Sequence, residues 1–227
     1  SVILTLTGNA NSPCSNVTST KTLTFYSPMS AIAGVDFNTC STSGTINITT
    51  GSSATNQTSI TWTSNGTGSF TNANSLTTCT YTPSADDIAN GNVIFTLTAS
   101  NAGCDNATAT KTVTISPSPT AIAGTVINTC STDGAVNITQ DSSATNYTSI
   151  AWTSSGTGTF TNSNSLTNCT YTPSAADITT GSATLTLTAI GIAPCATVTD
   201  TKTINISSPM TAVAGSSFTS CSSDTAI

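Results

Sequence analysis

Apolar residues alternate with threonine and serine in short stretches along this chain, the period-two pattern of half-buried β-strands. Val93, Phe95, Leu97 and Ala99 are set to point inward while Thr96 and Thr98 point outward. Val113 and Ile115 alternate in the same way with Thr112 and Thr114. No helical periodicity outlasts a single turn. Within residues 31–120 these stretches fit a seven-stranded sandwich. Strand A runs over roughly 31–39, B carries Ile46 and Ile48, and C carries Ile60 and Trp62. The Gly66-Thr67-Gly68 turn leads to Phe70, E spans Leu76 to Tyr81, and F and G are the two stretches above.

The same pattern returns. Ala31 onward aligns with Ala121 onward at an offset of 90, with 48 identities in the 69 positions from Ala31 to Ala99. One inserted residue shifts the offset to 91, so that Cys104 matches Cys195 and Lys111 matches Lys202. The full repeats are therefore 31–120 and 121–211. Residues 1–30 read as the end of a preceding copy, since Cys14 and Lys21 keep the same seven-residue spacing, and residues 212–227 read as the start of a following one. Such a pattern predicts a segment of a longer array of modules stacked end to end, joined here through the stiff Pro117-Ser118-Pro119 segment. Trp62 and Trp152 are expected in the core, in the place of the strand-C tryptophan of immunoglobulin-like domains, with Tyr81 and Tyr171 beside them.

Composition narrows the chemistry. Of 227 residues, 53 are Thr, 35 Ser and 20 Asn, while the 9 acidic residues are all Asp and the 3 basic ones all Lys. Without His, Arg or Glu, most general acids and bases and most metal ligands are missing, which argues against an enzyme, a metal centre or a cofactor. A net charge of −6 gives no electrostatic footprint for nucleic acid. No apolar run is long enough for a membrane span.

Five features carry candidate chemistry. Gly66-Thr67-Gly68 and Gly156-Thr157-Gly158 lack the following Lys and helix of a phosphate loop and read as tight turns. Lys21, Lys111 and Lys202 share strand parity with inward residues; a Lys–Asn cross-link is one reading, and an ammonium reaching the sandwich rim the other. The Asp residues are expected to be scattered in loops. Asp224-Thr225-Ala226 resembles a short O-glycosylation motif.

Cysteine is the fifth. It comes three to a repeat, as Cys40, Cys79, Cys104 and Cys130, Cys169, Cys195, with Cys14 and Cys221 outside them, which suits disulfides in an exported protein. If every strand reverses the last, Cys40 ends strand A at one pole, while Cys104 and Cys195 lie in F–G loops at the other. A bridge needs Cα atoms within about 7 Å, which forbids Cys40–Cys104 within one module. Stacking predicts Cys40–Cys195 across a junction, with Cys130 and Cys14 paired to further modules and Cys79 and Cys169 buried as small apolar residues. The rival scheme pairs Cys79 with Cys104 and Cys169 with Cys195.

The stretch Cys79-Thr80-Tyr81-Thr82-Pro83-Ser84-Ala85, with Asp87-Ile88 and Gly91, and the Trp62-Thr63-Ser64 and Gly66-Thr67-Gly68 elements resemble the PKD-like, immunoglobulin-like modules repeated in giant surface and gliding-motility adhesins of the Bacteroidota. The Trp-x-Phe-Gly-Asp-Gly element of ordinary PKD domains is absent. The resemblance implies all-β sandwich modules, export by the type IX system and an extracellular, cell-surface address. Two roles follow as expectations. One is a structural stalk whose partners are its own neighbouring repeats. The other is a binding module that uses outward Thr rows, such as Thr96, Thr98, Thr112 and Thr114, for surface glycans, abiotic surfaces or ice.

Overall fold

A computed structural model describes residues 1–217, 219 and 221, and these form two compact units. The first comprises Ser1–Ser118 together with Ile192–Ala196, and the second Pro119–Gly191 with Thr197–Ile227.

The first unit opens with a hairpin of β1 (Val2–Gly8) and β2 (Val17–Leu23), paired without irregularity from Val2↔Leu23 to Gly8↔Val17. Nine further strands follow: β3 (Ser30–Ile32), β4 (Phe37–Cys40), β5 (Ile46–Asn47), β6 (Ser53–Thr55), β7 (Ser59–Ser64), β8 (Ser69–Thr71), β9 (Thr80–Thr82), β10 (Asn92–Asn101) and β11 (Cys104–Ser116). One sheet has the order β4-β11-β10-β7, a second has β5-β9-β8, and β3 pairs with β6. Inward side chains of both larger sheets meet in one core of Ile46, Ile60, Trp62, Tyr81, Val93, Phe95, Leu97, Val113 and Ile115. Tyr81 and Phe95 pack edge to face at 4.9 Å, and Phe70 joins them. The Trp62 indole N–H reaches the Ser75 carbonyl at 3.2 Å, so the largest core side chain leaves no polar atom unpaired.

Strand A is not one strand. Gly34 adopts φ +93°, and a Cβ there would collide with the Thr50 carbonyl oxygen, so only glycine suits this bend. Before the bend, β3 pairs antiparallel with β6; after it, β4 runs parallel to β11 in the other sheet. Strand E is also shorter than its pattern suggests, because Leu76 lies before β9 rather than on it. The link from β9 to β10 contains α1 (Ala85–Asn90). Ser84 caps it through its side chain, Asp87 returns a bond to the Ser84 N–H, and Gly91 ends it in the left-handed conformation.

The second unit repeats the plan. It holds β12 (Thr120–Ile122), β13 (Ile127–Cys130), β14 (Val136–Asn137), β15 (Ser143–Thr145), β16 (Tyr147–Ser154), β17 (Thr159–Thr161), β18 (Thr170–Thr172), α2 (Ala175–Thr180), β19 (Ser182–Gly191) and β20 (Val198–Ser207). Its sheets are β13-β20-β19-β16, β14-β18-β17 and β12-β15. Its core gathers Ile138, Ile150, Trp152, Tyr171, Leu185, Leu187, Ile204 and Ile206. The protein is thus all-β, built of tandem sandwich modules.

Candidate functional site

The last rung of the parallel β4–β11 pair places Cys40 opposite Ser116. The Ser41 N–H bonds the Ser116 carbonyl at 2.9 Å, and the Ser43 N–H bonds the Cys40 carbonyl at 2.9 Å, so the residue is held on both sides. Cys195 sits in a turn closed by its own N–H on the Ile192 carbonyl at 2.9 Å. The structure joins these two cysteines in a disulfide with Cα atoms 4.9 Å apart, inside the first unit. Both are nearly enclosed. Cys104, at the opposite end of β11, lies twelve residues from Ser116, or about 40 Å of strand. It is unbonded and half-buried.

Cys79 and Cys169 are unbonded and have no exposed surface. Burial pushes each thiol up to about 11, against a smaller opposing pull from Lys111 and Lys202 respectively. They are inert at neutral pH. Cys14 is exposed and unbonded, Cys130 half-buried and unbonded, and Cys221 exposed.

Lys21, on β2, is exposed, whereas Lys111 and Lys202 do not reach the rim. Lys111 is 2% exposed and Lys202 5%, because each stands on the inward face of its strand, opposite Phe95 and Leu185. The Lys111 ammonium lies 5.3 Å from the Trp62 ring centroid and 5.7 Å from that of Phe37, and its Nζ has no hydrogen-bond partner. Lys202 lies 5.2 Å from the Trp152 ring and donates to the Gln140 carbonyl at 3.4 Å and to Ser142 Oγ at 3.3 Å. No Asn or Asp side chain bonds to either Nζ. Burial lowers both lysine pKa values, against the nearby charges of Cys79 and Asp36, or of Asp141 and Cys169. The aromatic faces compensate only in part. Since Lys111 lacks the two partners that Lys202 has, Lys111→Met is expected to raise the stability of its repeat by about 1–2 kcal/mol in urea unfolding. Lys202→Met is expected to gain less.

The Asp residues do not converge on one another, but two of them do not lie in loops: Asp87 stands on α1 and Asp177 on α2. Asp87 is 2% exposed. Its carboxylate accepts from the N–H groups of Thr67, Gly68 and Ser84, each at 3.0 Å, and from the Tyr81 hydroxyl at 2.8 Å. The Gly66-Thr67-Gly68 turn is therefore a cradle of N–H groups, and the anion it holds is the protein's own. A Cβ on Gly66 would strike Asp87 and Tyr81, and one on Gly68 would strike Tyr81 and the Thr82 carbonyl. Asp177 repeats the hub, with Thr157 N–H at 3.1 Å, Ser174 N–H at 2.9 Å and Tyr171 hydroxyl at 2.7 Å. Sequence reasoning missed this hub. Its signal was the capping-box spacing of Ser84 with Asp87 and Ser174 with Asp177.

Burial opposes ionisation of these two carboxyls, but the hydrogen bonds from Ser84, Tyr81 and Thr67, or Ser174, Tyr171 and Thr157, outweigh it and hold their pKa values below the ordinary range. An Asp that binds its proton less readily folded than unfolded stabilises the fold fully above the unfolded pKa of about 3.9, and that stability is lost as pH falls through the folded value. Urea unfolding is therefore expected to weaken below about pH 4. Asp87→Asn and Asp177→Asn together should flatten this acid limb; an unchanged acid limb would show that these groups do not cause it.

Among the described residues nothing else converges. A shallow depression beside Gln57, Ser59, Asn74 and Leu76 holds no carboxylate, thiol or amine. No cluster of three His, Cys, Asp or Glu able to hold a metal occurs among the described residues, and no helix among them is long and apolar enough to cross a membrane. Asp224-Thr225-Ala226 lies outside the described residues.

Outward threonines form rows across three strands. Thr96 stands opposite Thr63 and Thr110, and Thr98 opposite Thr61 and Thr108. Thr112 and Thr114 continue the face along β11.

No known family matches the chain, and no curated protein matches it. Among solved structures it is similar to the immunoglobulin domains 1–4 of Sidekick-1 at 14% identity, covering 88% of this chain and 57% of that one, with a TM-score of 0.41. It is also similar to the insect immune protein hemolin at 13% identity, covering 90% and 56%, with a TM-score of 0.43. A third likeness is to the extracellular cadherin domains 3–6 of protocadherin gamma B2, at 13% identity over 79% and 47%, with a TM-score of 0.40. The chain spans about half the length of these structures. Its assignment as all-β, immunoglobulin-like sandwich modules in tandem rests on its own sheets and cores.

Proposed function

We propose that this chain is a load-bearing structural stalk of an extracellular surface adhesin rather than an enzyme. The observation that carries the reading is the Cys40–Cys195 bond, which ties a residue of one near-identical repeat to a residue of the next. A bond of that kind does nothing for catalysis and much for resisting separation of consecutive repeats. The buried carboxylates favour the same reading, because hydrogen bonds within each module fully engage them. In this proposal residues 31–120 and 121–211 are the two full repeats, flanked by parts of two others. The resemblance to Bacteroidota surface modules supports a cell-surface address, type IX export and a role in adhesion or gliding.

The threonine rows favour a second reading, in which the face of β7, β10 and β11 binds glycans or ice through an uncharged hydroxyl lattice. Retention of the purified chain on immobilised polysaccharides tests both. The stalk reading expects no retention. Retention abolished by Thr96→Val with Thr98→Val would overturn it in favour of the binding face.

A further inference from the structure

Two Asn-Gly steps occur in the first unit, Asn65-Gly66 and Asn90-Gly91, and both asparagines are exposed. At such a step the backbone nitrogen of the glycine can attack the asparagine side chain, because no Cβ crowds its approach. Sequence and exposure do not separate the two; their hydrogen bonds do. The Gly91 N–H closes the end of α1, donating to the Asp87 carbonyl at 3.0 Å and to the Ile88 carbonyl at 3.2 Å. No described residue accepts from the Gly66 N–H. The nearby Ser64 hydroxyl donates to the Gly66 carbonyl at 3.4 Å instead.

The asparagine at the first step is also activated. The Ile94 N–H donates to Asn65 Oδ1 at 2.8 Å, and the Asn65 N–H returns a bond to the Ile94 carbonyl at 3.2 Å. A donor on Oδ1 draws electron density from Cγ and is already in place for the negative charge that this oxygen gains when Cγ is attacked. The second unit carries out the same local pairing without an amide. There the Thr184 N–H donates to Ser155 Oγ at 2.9 Å, and the Gly156 N–H is itself engaged by Ser154 Oγ at 2.9 Å. The bond to the neighbouring strand therefore does not require asparagine.

We propose that Asn65-Gly66 is a site of spontaneous covalent modification, at which the folded protein converts Asn65 to aspartate and isoaspartate through a succinimide. The Gly66 nitrogen bonds to Asn65 Cγ, its proton passes to the departing amide nitrogen, and ammonia leaves a five-membered imide ring. Water then adds to either ring carbonyl and opens the ring. Addition at one carbonyl gives aspartate, and addition at the other gives isoaspartate. One water is consumed and one ammonia released, with no change of oxidation state. The products bear on the Asp87 hub, since Gly66 packs directly on that carboxylate. Isoaspartate lengthens the main chain by one methylene just before the Thr67 and Gly68 N–H groups that hold Asp87. Either product adds a negative charge beside a buried one, which disfavours the ionised hub.

The test is incubation of the purified chain in mildly alkaline buffer at body temperature, followed by peptide mass mapping and by methylation with an isoaspartyl methyltransferase. The expected result is that the Asn65 peptide gains the mass of an amide-to-acid exchange and accepts methyl groups. The Asn90 peptide should convert about tenfold more slowly, the rate effect of about 1.4 kcal/mol spent in freeing the Gly91 N–H. In urea the two should convert at similar rates. Asn65→Ser, which installs the residue of the second repeat, should abolish methyl acceptance there and keep both thermal transitions. In the converted wild type, the transition of the first repeat should fall by about 5–10 °C while that of the second holds. Equal rates at the two steps in the folded protein, faster conversion of Asn90, or conversion of Asn65 confined to urea would each overturn the site. An unmoved first transition after full conversion would overturn its effect on the hub.

Discussion

Pulled from its two ends until fully unfolded, the oxidised protein is expected to extend about 500 Å less than the same protein after reduction. The bond spans a sequence separation of 155 residues, and an extended residue covers at most about 3.3–3.6 Å. While the bond holds, force passes from Cys40 directly to Cys195, and the chain between them carries no tension. Only the residues outside the bridge can be drawn out. Cys40→Ser should behave as the reduced protein under either condition. Single-molecule force spectroscopy reads the difference as a missing contour length, and equal lengths with and without reductant would remove the bond from any mechanical role.

The second large effect is expected at Asp87. Replacing it with Ala deprives the N–H groups of Thr67, Gly68 and Ser84 and the Tyr81 hydroxyl of one shared acceptor. Each donor left unsatisfied in a buried setting costs about 1–3 kcal/mol, part of which water entering the new space recovers. A net loss of about 3–5 kcal/mol is expected for the first repeat. Since a domain of this size shifts by about 4–8 °C per kcal/mol, its thermal transition should fall by about 15 °C or more. The transition of the second repeat, whose own hub is built on Asp177, should move little. A loss below about 1 kcal/mol would mean that the hub is an ornament of the fold rather than its brace.

Where each residue's neighbours in sequence determine its surroundings, the fold was legible. Val93 to Ala99 alternate cleanly, and β10 buries the expected face. Trp62 and Tyr81 lie in the core because apolar parity and aromatic size leave them no other place. The repeat offset carried the second unit from the first. Where structure depends on distant atoms, the pattern ran out. Strand A breaks at Gly34 because the Thr50 carbonyl approaches there, a contact no local window contains. The parity of Lys111 indicated an inward side chain, but whether its ammonium could escape depended on Trp62 and Phe37 closing over it. The Asp87 hub gathers residues from a turn, a strand and a helix cap. Its capping spacing was visible in the sequence, while the use of the glycine turn as its other half was not.

The pairing of Cys40 with Cys195 also bears on how such a gene can change. Had the two cysteines of a bond occupied one repeat, each repeat would be chemically complete, and the joints would depend on weak contacts alone. In the proposed stalk the bond instead takes one cysteine, Cys40, from the end of a first strand and the other, Cys195, from the hairpin loop of the following repeat, so each joint would draw one half-bond from either side. In such an array, unequal crossing-over between near-identical copies, which adds or removes whole repeats, would preserve the pairing rule at each internal joint. Length would then drift by recombination while the covalent connectivity is inherited intact.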